Sequence, residues 1–203
     1  MNIDIKQLKK RDFNDARKFA IDGMHLSWYT NNKIELYLYS KYFWYLEISK
    51  ATRALGAYMG DKLVGVLLVD INKESKVFNS LWYKLFVKIA SFVINLGYKE
   101  ASSAYEDVNI EMLETFKKDN QVDGEINFFA VDPKCKGKGI GTLLLNELEK
   151  QEKGKQIYLY SDTGSTYQFY LQRGFAVSGK KDVTIKIKNR ELPLTCYLFS
   201  KIL

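Results

Sequence analysis

Residues 131–142 read VDPKCKGKGIGT and connect two apolar segments of different periodicity. The segment before them, EINFFAV at 125–131, is short and rich in aromatic and branched side chains, which predicts a strong β-strand. After them, isoleucine and leucine recur at helical spacing over 140–153, which predicts a helix. A further strand pattern, QIYLYSD at 156–162, completes a strand–helix–strand unit with a glycine-rich loop at its first connection.

This loop has the composition of an anion-binding site. Glycine occupies positions 137, 139 and 141, and lysine precedes two of these glycines as Lys136 and Lys138. Because glycine has no Cβ, several backbone N–H groups can approach one bound group closely. The helix that starts here adds the positive end of its dipole. The sequence therefore predicts that a phosphate or pyrophosphate binds between the strand and the helix.

Two other phosphate-binding loops fit this sequence less well. The spacing G-x-x-x-x-G-K-[ST] of a Walker loop is absent. A dinucleotide-binding unit is a closer competitor, since Asp162 ends a strand where a ribose-binding acid would lie. However, the glycine spacing is G-x-G-x-G, and residues 163–203 are too few for the remaining strands of such a domain.

The loop resembles the coenzyme A signature of the GNAT superfamily of N-acetyltransferases, a strand ending in V-x-P followed by Q/R-x-x-G-x-G/A. Residues 131–133 supply V-x-P, and residues 136–141 supply the signature with Lys136 in place of glutamine or arginine, which keeps a positive charge. A second segment, FYLQRGF at 169–175, looks like the F-Y-x-x-x-G-F element of the same family. Both motifs occur in the family's order.

The resemblance implies an α/β (α+β) fold with a mixed, mostly antiparallel sheet flanked by helices. We expect residues 1–203 to form a single GNAT-like domain. The family usually joins its third and fourth strands by a short turn, whereas a helical insertion at 72–124 is predicted here. The predicted elements outside the strand–helix–strand unit are strand 2–7, helix 12–23, a helix capped by Asn32, strands 54–59 and 63–70 of a hairpin, a short helix over 165–172, and strands 182–188 and 192–202 joined by a turn at 189–190.

The insertion contains an apolar run at 81–96 and a more polar helical pattern at 106–120. In the apolar run, Lys84, Lys88, Ser91 and Asn95 recur every three or four residues and mark one narrow polar stripe on a helix. The run is too short and too charged for a membrane span. We expect both helices to pack against the domain. A dimer face, a substrate lid and a membrane-surface contact are the alternatives.

The resemblance implies direct transfer of an acetyl group from acetyl-CoA, the acetyl-donor cosubstrate, to the primary amine of a small molecule or peptide. In the family, the strand before the loop splays from its neighbour, and its backbone binds the pantetheine arm. Tyr170 matches the family's proton donor to the departing thiolate, with Tyr167 one helical turn earlier as the alternative. Glu125 aligns with the glutamate that acts as general base in histone-acetylating members. The residues expected to bind the cosubstrate are Phe129, Ala130, Val131, Lys136, Gly137, Lys138, Gly139, Ile140, Gly141, Thr142 and Tyr167.

Composition limits the other classes of function. His25 is the only histidine, so a multi-histidine metal site is excluded and no metal is expected. Two cysteines, Cys135 and Cys196, do not suggest a disulfide framework, and no apolar signal core begins the chain, so we expect a cytoplasmic protein. The net charge of +7 favours anionic partners. No RNA-binding pattern with interleaved aromatics accompanies it, and we expect no nucleic acid.

Two further points stay open from the sequence. A non-catalytic coenzyme A-binding sensor or partner-binding module is the alternative function, and homodimerisation is not decided. Four aromatic residues in the second helix and in the segment before it are assigned to the core, with an acceptor pocket as the alternative. They are Trp28, Tyr29, Tyr37 and Trp44.

Overall fold

A computed structural model describes residues 2–24, 26–28, 30, 32–97, 99–187 and 190–203. Within these residues the chain forms strands and helices in mixed order. The strands are β1 (Asp4–Gln7), β2 (Arg53–Met59), β3 (Lys62–Ile71), β4 (Gly124–Val131), β5 (Gln156–Asp162), β6 (Ala176–Ile187) and β7 (Arg190–Ile202). The helices are α1 (Phe13–Gly23), α2 (Lys33–Lys50), α3 (Leu81–Gly97), α4 (Lys99–Lys117), α5 (Ile140–Gln151) and α6 (Gln168–Leu171).

All seven strands form one sheet in the order β1-β2-β3-β4-β5-β7-β6. Each neighbouring pair is antiparallel except β4 and β5, which are parallel and connected through α5. The predicted fold class, a mixed and mostly antiparallel sheet flanked by helices, is confirmed.

Helices cover both faces of the sheet. On one face, α1 and α2 bury a cluster that includes Trp44 of α2 and Phe128 of β4. On the other face, α5 buries a second cluster that includes Leu144. Alternate side chains of β5 point to opposite faces, so Leu159 joins the α5 cluster while Tyr158 joins a third cluster beneath α4. Helix α4 therefore lies on the face opposite to α5.

The start of α2 illustrates how local sequence determines an element. Asn32 has an extended backbone, and its side-chain oxygen accepts hydrogen bonds from the amides of Ile34 at 2.9 Å and Glu35 at 3.4 Å. These bonds satisfy two amides that have no partner within the helix. The predicted cap is confirmed.

The β2–β3 hairpin positions the start of α5. The pairing register shifts next to the Ala57–Gly65 pair, between Ala57 and Tyr58. A Cβ atom at Gly65 would lie 2.9 Å from Cγ2 of Ile140 and 3.1 Å from Cδ1 of Leu144. The glycine thus allows α5 to pack directly on β3.

The two insertion helices lie between β3 and β4 in the chain and pack on different elements. The ring of Tyr83 in α3 stacks on Tyr45 of α2 with 4.4 Å between ring centroids. Met112 of α4 is buried against the β6–β7 hairpin, where a Cβ at Gly179 would lie 3.0 Å from its Cβ. Among the described residues, no helix combines the length and apolarity needed to cross a bilayer.

Three predicted boundaries near the chain's second half are wrong. Strand β6 begins at Ala176 rather than at residue 182, because residues 176–181 pair with β7 through an irregularity between Val177 and Gly179 that their polar, glycine-containing sequence did not reveal. Helix α6 is a single turn, since residues 163–167 form turns. Helix α4 begins at Lys99, seven residues before its prediction. Asn189, in the predicted hairpin turn, lies outside the described residues.

Candidate active site

A gap opens between β4 and β5 at the centre of the sheet. The two strands pair only at their beginnings, with Gly124 opposite Ile157 and Glu125 opposite Tyr158. Beyond this point β4 continues to Val131 while paired only with β3. Among the described residues, no strand therefore pairs with the edge of β4 that faces β5 at the predicted residues 129–131.

The loop after β4 is held at its first turn by Asp132. The buried carboxylate accepts a hydrogen bond from the amide of Lys134 at 3.0 Å and one from the ammonium of Lys62 at 3.1 Å. Burial raises the pKa of Asp132, but these hydrogen bonds and the charges of the two lysines outweigh burial and hold the pKa below its ordinary value. Asp132 is thus a charged anchor that fixes where the loop leaves the sheet.

Two of the three loop glycines have a left-handed backbone conformation, which favours glycine over other residues. Gly137 has φ of +81° and Gly139 has φ of +76°, in the left-handed region that other residues adopt at a cost. Gly139 is the residue that caps α5. Lys136 and Lys138 are both exposed beside these glycines. The conformation of the bend therefore depends on glycine, and the bend carries two solvent-exposed cationic side chains.

The bend leaves a group of backbone amides unused at the start of α5. The first hydrogen bond between the backbone of α5 and the loop is donated by the amide of Leu143 to the carbonyl of Gly139 at 3.1 Å. Within the described part of the chain, no group accepts from the amides of the four preceding residues, 139–142. These N–H groups and the positive end of the helix dipole lie where the sequence analysis expects an anion to bind.

Arg173 adds a third cation that the sequence analysis did not identify. Its Nη2 and Nε donate to the hydroxyl of Thr142 at 2.7 and 3.1 Å, and its guanidinium lies 5.3 Å from the ring centroid of Phe169. Thr142 is in the first turn of α5, so the charge lies beside the free amides. The signal in the sequence was the single cation within the FYLQRGF motif.

Tyr170 lies on the α5 side of the sheet among aromatic rings. The ring centroids of four phenylalanines lie 5.5–6.3 Å from its own: Phe129, Phe169, Phe175 and Phe199. Burial raises the pKa of the phenol, so Tyr170 is protonated at neutral pH. Burial is the only cause of this shift, and no hydrogen bond from a described group to the hydroxyl contributes to it. The structure therefore presents a neutral, uncommitted hydroxyl where a proton donor was predicted.

Tyr167, the alternative donor, is placed differently. Its ring stacks on Tyr197 with 4.9 Å between centroids and an interplanar angle of 21°. Tyr197 in turn stacks on Phe199, which also contacts Tyr170. Tyr167 is thus the outer member of an aromatic stack that begins at Tyr170.

Glu125 lies at the point where β4 and β5 begin to separate, and its side chain is half-buried. Its carboxylate accepts a hydrogen bond from the hydroxyl of Tyr158 at 3.0 Å. Burial raises the pKa of Glu125; the Tyr158 hydrogen bond and the charge of Lys50 oppose this, and the charge of Glu47 reinforces it. Glu125 is therefore a better proton acceptor than a solvated glutamate, as the general-base prediction requires.

Glu47 is a second carboxylate on the same side of the sheet that the sequence analysis missed. It is only 7% exposed, and it accepts a hydrogen bond from the amide nitrogen of Asn127 at 2.8 Å. Burial raises its pKa, while Lys50, with Nζ at 3.4 Å, and Asn127 lower it. Asn127 reaches α2 because the pairing of β4 with β3 is irregular next to Phe128. The sequence feature that could have identified Glu47 is the position of an acidic residue between Trp44 and Ile48 on the buried face of α2.

The predicted residues, together with Arg173 and Glu47, form two groups rather than one. The glycine loop, Arg173 and Tyr170 lie on the α5 side, whereas Glu125 and Glu47 lie on the α2 side. The gap between β4 and β5 separates the two groups. The two groups therefore flank one opening from opposite faces of the sheet.

Other predicted residues have clear outcomes. Trp44 is core, at 1% exposure, whereas Tyr37 is exposed and carries the guanidinium of Arg17 at 4.6 Å from its ring centroid. His25 and Tyr29 lie outside the described residues. Both cysteines are free and buried, and the described residues contain no group of three or more His, Cys, Asp or Glu side chains able to hold a metal ion.

Comparison with known proteins agrees with this geometry. Residues 103–177 match the acetyltransferase (GNAT) domain family. None of the curated proteins matches the chain in sequence. The resemblance to the GNAT superfamily seen in the two motifs is confirmed by the family match and by the fold.

Solved structures of similar fold include three acetyltransferases, each matched over nearly the full length of both chains. One is described as histone acetyltransferase HPA2 and related acetyltransferase from Corynebacterium glutamicum, with 16% identity, a TM-score of 0.58 and coverage of 98% of this chain and 96% of that one. Another is Arabidopsis thaliana NAA60 with a bisubstrate analogue, with 14% identity, a TM-score of 0.55 and coverage of 98% and 97%. The third is PaiA N-acetyltransferase from Thermoplasma acidophilum with coenzyme A, with 16% identity, a TM-score of 0.55 and coverage of 100% of both chains.

Proposed function

Because residues 103–177 match the acetyltransferase (GNAT) domain family, we propose that the chain is an N-acetyltransferase that moves the acetyl group of acetyl-CoA directly to a primary amine. The observation that supports this most strongly is the continuity of the β4–β5 gap with the free amides at the start of α5. The two features together provide one extended site for a long, phosphorylated thioester. The acceptor amine belongs to a small molecule or a peptide.

Acetyl-CoA fits the residues that line this site. The amides of residues 139–142 and the charges of Lys136, Lys138 and Arg173 suit its phosphates. The unpaired edge of β4 at 129–131 suits the amide groups of its pantetheine arm, because backbone N–H and C=O groups pair with an extended amide chain as they do with a strand. The bound molecule supplies an activated acetyl group, and the chain supplies position and proton transfer.

The chemistry requires two proton transfers in opposite senses. An alkylammonium must lose a proton before its nitrogen can attack, and Glu125, with its raised pKa, accepts that proton directly or through water. The N–C bond then forms and the C–S bond breaks. Tyr170 gives its phenolic proton to the departing sulfur, which burial among four aromatic rings favours by keeping the phenol neutral.

The complexes of similar proteins support this assignment. PaiA was solved with coenzyme A, and NAA60 was solved with a bisubstrate analogue. A bisubstrate analogue occupies donor and acceptor positions together, which suits direct transfer without an acyl-enzyme. Direct transfer needs donor and acceptor to be bound at the same time, and the groups on the two faces of the β4–β5 gap suit this arrangement.

The test is release of free thiol from acetyl-CoA in the presence of a panel of small-molecule and peptide amines. Tyr170→Phe should lower kcat about 100-fold or more, the usual contribution of a positioned acid. Tyr83→Phe, which changes a tyrosine stacked on α2, is the matched control and should leave turnover unchanged.

Coenzyme A binding is measured in parallel, so that catalysis and binding are separated. Tight binding without thiol release for any amine would contradict the proposal and support a non-catalytic sensor. Turnover that survives Tyr170→Phe would remove this tyrosine from the mechanism.

A further inference from the structure

Helix α3 exposes a continuous row of large apolar side chains. Five residues are between 49% and 84% exposed: Leu81, Trp82, Leu85, Ile89 and Phe92. At about 100° per residue, these five positions fall within roughly one third of the helix circumference. We call them the α3 ridge. Exposed apolar patches of this kind mark interaction sites more often than ordinary surface.

The opposite side of α3 is fixed to the body of the protein. Tyr83 stacks on Tyr45, and Phe86 packs edge-on against the same ring at 5.3 Å. The hydroxyl of Ser91 donates to that of Tyr42 at 3.2 Å. The helix is therefore anchored on α2, and its ridge faces outward.

The charges beside the ridge have one sign. Lys84 and Lys88 are exposed along one edge of the ridge, and α3 contains no aspartate or glutamate. The whole chain has a net charge of +7. A partner that covers the ridge must therefore be apolar at its centre and negative at its edge.

We propose that the α3 ridge docks on the surface of an anionic lipid bilayer, with α3 lying in the plane of the interface. An interfacial helix combines Trp, Phe and Leu on one face with lysines beside it, and the lysines reach back to the lipid head groups. Trp82 at the ridge suits the head-group region. Seventeen residues span only about 26 Å, less than the roughly 30 Å hydrocarbon core, so the helix lies on the bilayer and does not cross it.

A second copy of the chain fits the ridge less well. A two-fold contact brings the same surface of both copies together. Because α3 has lysines and no acids, such a contact has no opposite charge on the partner helix for Lys84 and Lys88. Anionic lipid supplies that charge, and this is the reason for choosing the membrane.

The first experiment measures sedimentation of the full chain with phosphatidylcholine vesicles, with and without phosphatidylserine. The chain should bind the phosphatidylserine vesicles, and binding should weaken as ionic strength rises. Ile89→Glu should reduce the binding constant about tenfold or more, because it removes an exposed apolar side chain that the bilayer would cover and adds a charge that anionic lipid repels. Ile110→Glu is the matched control, since Ile110 is equally exposed, at 54% against 58%, on α4, and it should bind like the unaltered chain.

A charge variant and a spectroscopic readout make the test independent of any single variant's folding. Lys84→Ala should weaken binding to phosphatidylserine vesicles about fivefold. In a Trp28→Phe background, lipids brominated in their acyl chains should quench tryptophan fluorescence, and Trp82→Phe should then remove most of the quenching, since the remaining Trp44 is buried.

Three results would overturn the proposal. One is no binding of the unaltered chain to anionic vesicles, and another is equal binding by the Ile89→Glu and Ile110→Glu variants. The third is a dimer in light scattering that Ile89→Glu dissociates, without any vesicle binding, which would assign the ridge to self-association.

Discussion

A single alanine in the loop before α5 separates the binding role of the bend from its structural role. Gly139 precedes α5 and Gly154 follows it, with φ of +76° and +83°. A Cβ atom built on either residue meets no atom within 4 Å. Gly139→Ala and Gly154→Ala therefore add the same conformational strain without a steric clash, at opposite ends of one helix.

The magnitude follows from the backbone. The left-handed conformation costs a residue with a Cβ about 1–2 kcal/mol. At residue 139, the free loop relieves this strain by opening, and ligand binding must restore the bend. The strain then appears in the dissociation constant of coenzyme A, which should rise about 5- to 30-fold. At residue 154 the strain should lower the free energy of unfolding by a similar amount and leave coenzyme A affinity unchanged.

Isothermal titration calorimetry with coenzyme A and urea unfolding of both variants measure the two quantities. The reasoning fails if Gly139→Ala binds coenzyme A as tightly as the unaltered chain. It also fails if both variants lose affinity equally, because the effect would then be a general consequence of strain in α5.

Three further changes test other parts of the site. Arg173→Ala removes the guanidinium that contacts Thr142 and should weaken coenzyme A binding about two- to fivefold in calorimetry. Arg173→Lys keeps the charge and should bind more nearly like the unaltered chain. Identical affinity of the unaltered chain and both variants would exclude a binding role for Arg173. Since burial raises the pKa of Glu47, the protonated carboxyl group stabilises the fold below its ordinary pKa of 4.5, and this contribution is lost as pH rises through the raised value. The free energy of unfolding, relative to that of the Glu47→Gln variant, should therefore fall as pH rises above about 4.5, and the same pH dependence for both proteins in urea unfolding would contradict this. Gly65→Ala brings a Cβ to 2.9 Å from Ile140 and should cost about 1–3 kcal/mol, seen as a lower Tm in scanning calorimetry; an unchanged Tm would show that α5 shifts freely.

The features predicted correctly are those encoded by neighbouring residues. Asn32 caps α2 through amides two and three positions away. The glycine bend is determined by the seven consecutive residues 136–142. The turn between β2 and β3 follows in the same way from Gly60 and the apolar runs on either side. In each case the stabilising group and the group that it serves lie within a few positions of each other.

The features missed depend on contacts between distant parts of the chain. Glu47 and Asn127 are 80 positions apart and meet only because an irregular pairing turns Asn127 toward α2. Arg173 reaches Thr142 across 31 positions. An acid in an aromatic helix and a cation in a short motif are visible in the sequence, but their partners are fixed by the register of the sheet.

Helix α3 shows a different limit. Its periodicity predicted a helix with a narrow polar stripe, and the helix is confirmed. Because nearly all other positions are apolar, the pattern did not show which side of the helix packs against the rest of the protein. The structure resolves this through Tyr45 and Tyr42 of α2, which cover one side and leave the ridge exposed. Burial of a helix that is apolar on most sides is decided by what its neighbours can reach.

The central claim is that free backbone amides at the start of α5 and the open edge of β4 hold coenzyme A. Titration of the ¹⁵N-labelled chain with coenzyme A, followed by amide chemical shifts, tests this at the groups concerned. The largest shift changes should occur at residues 139–142 and 129–131, with little change at Gly154. Saturable binding that leaves those amides unshifted, or the absence of binding, would contradict the account.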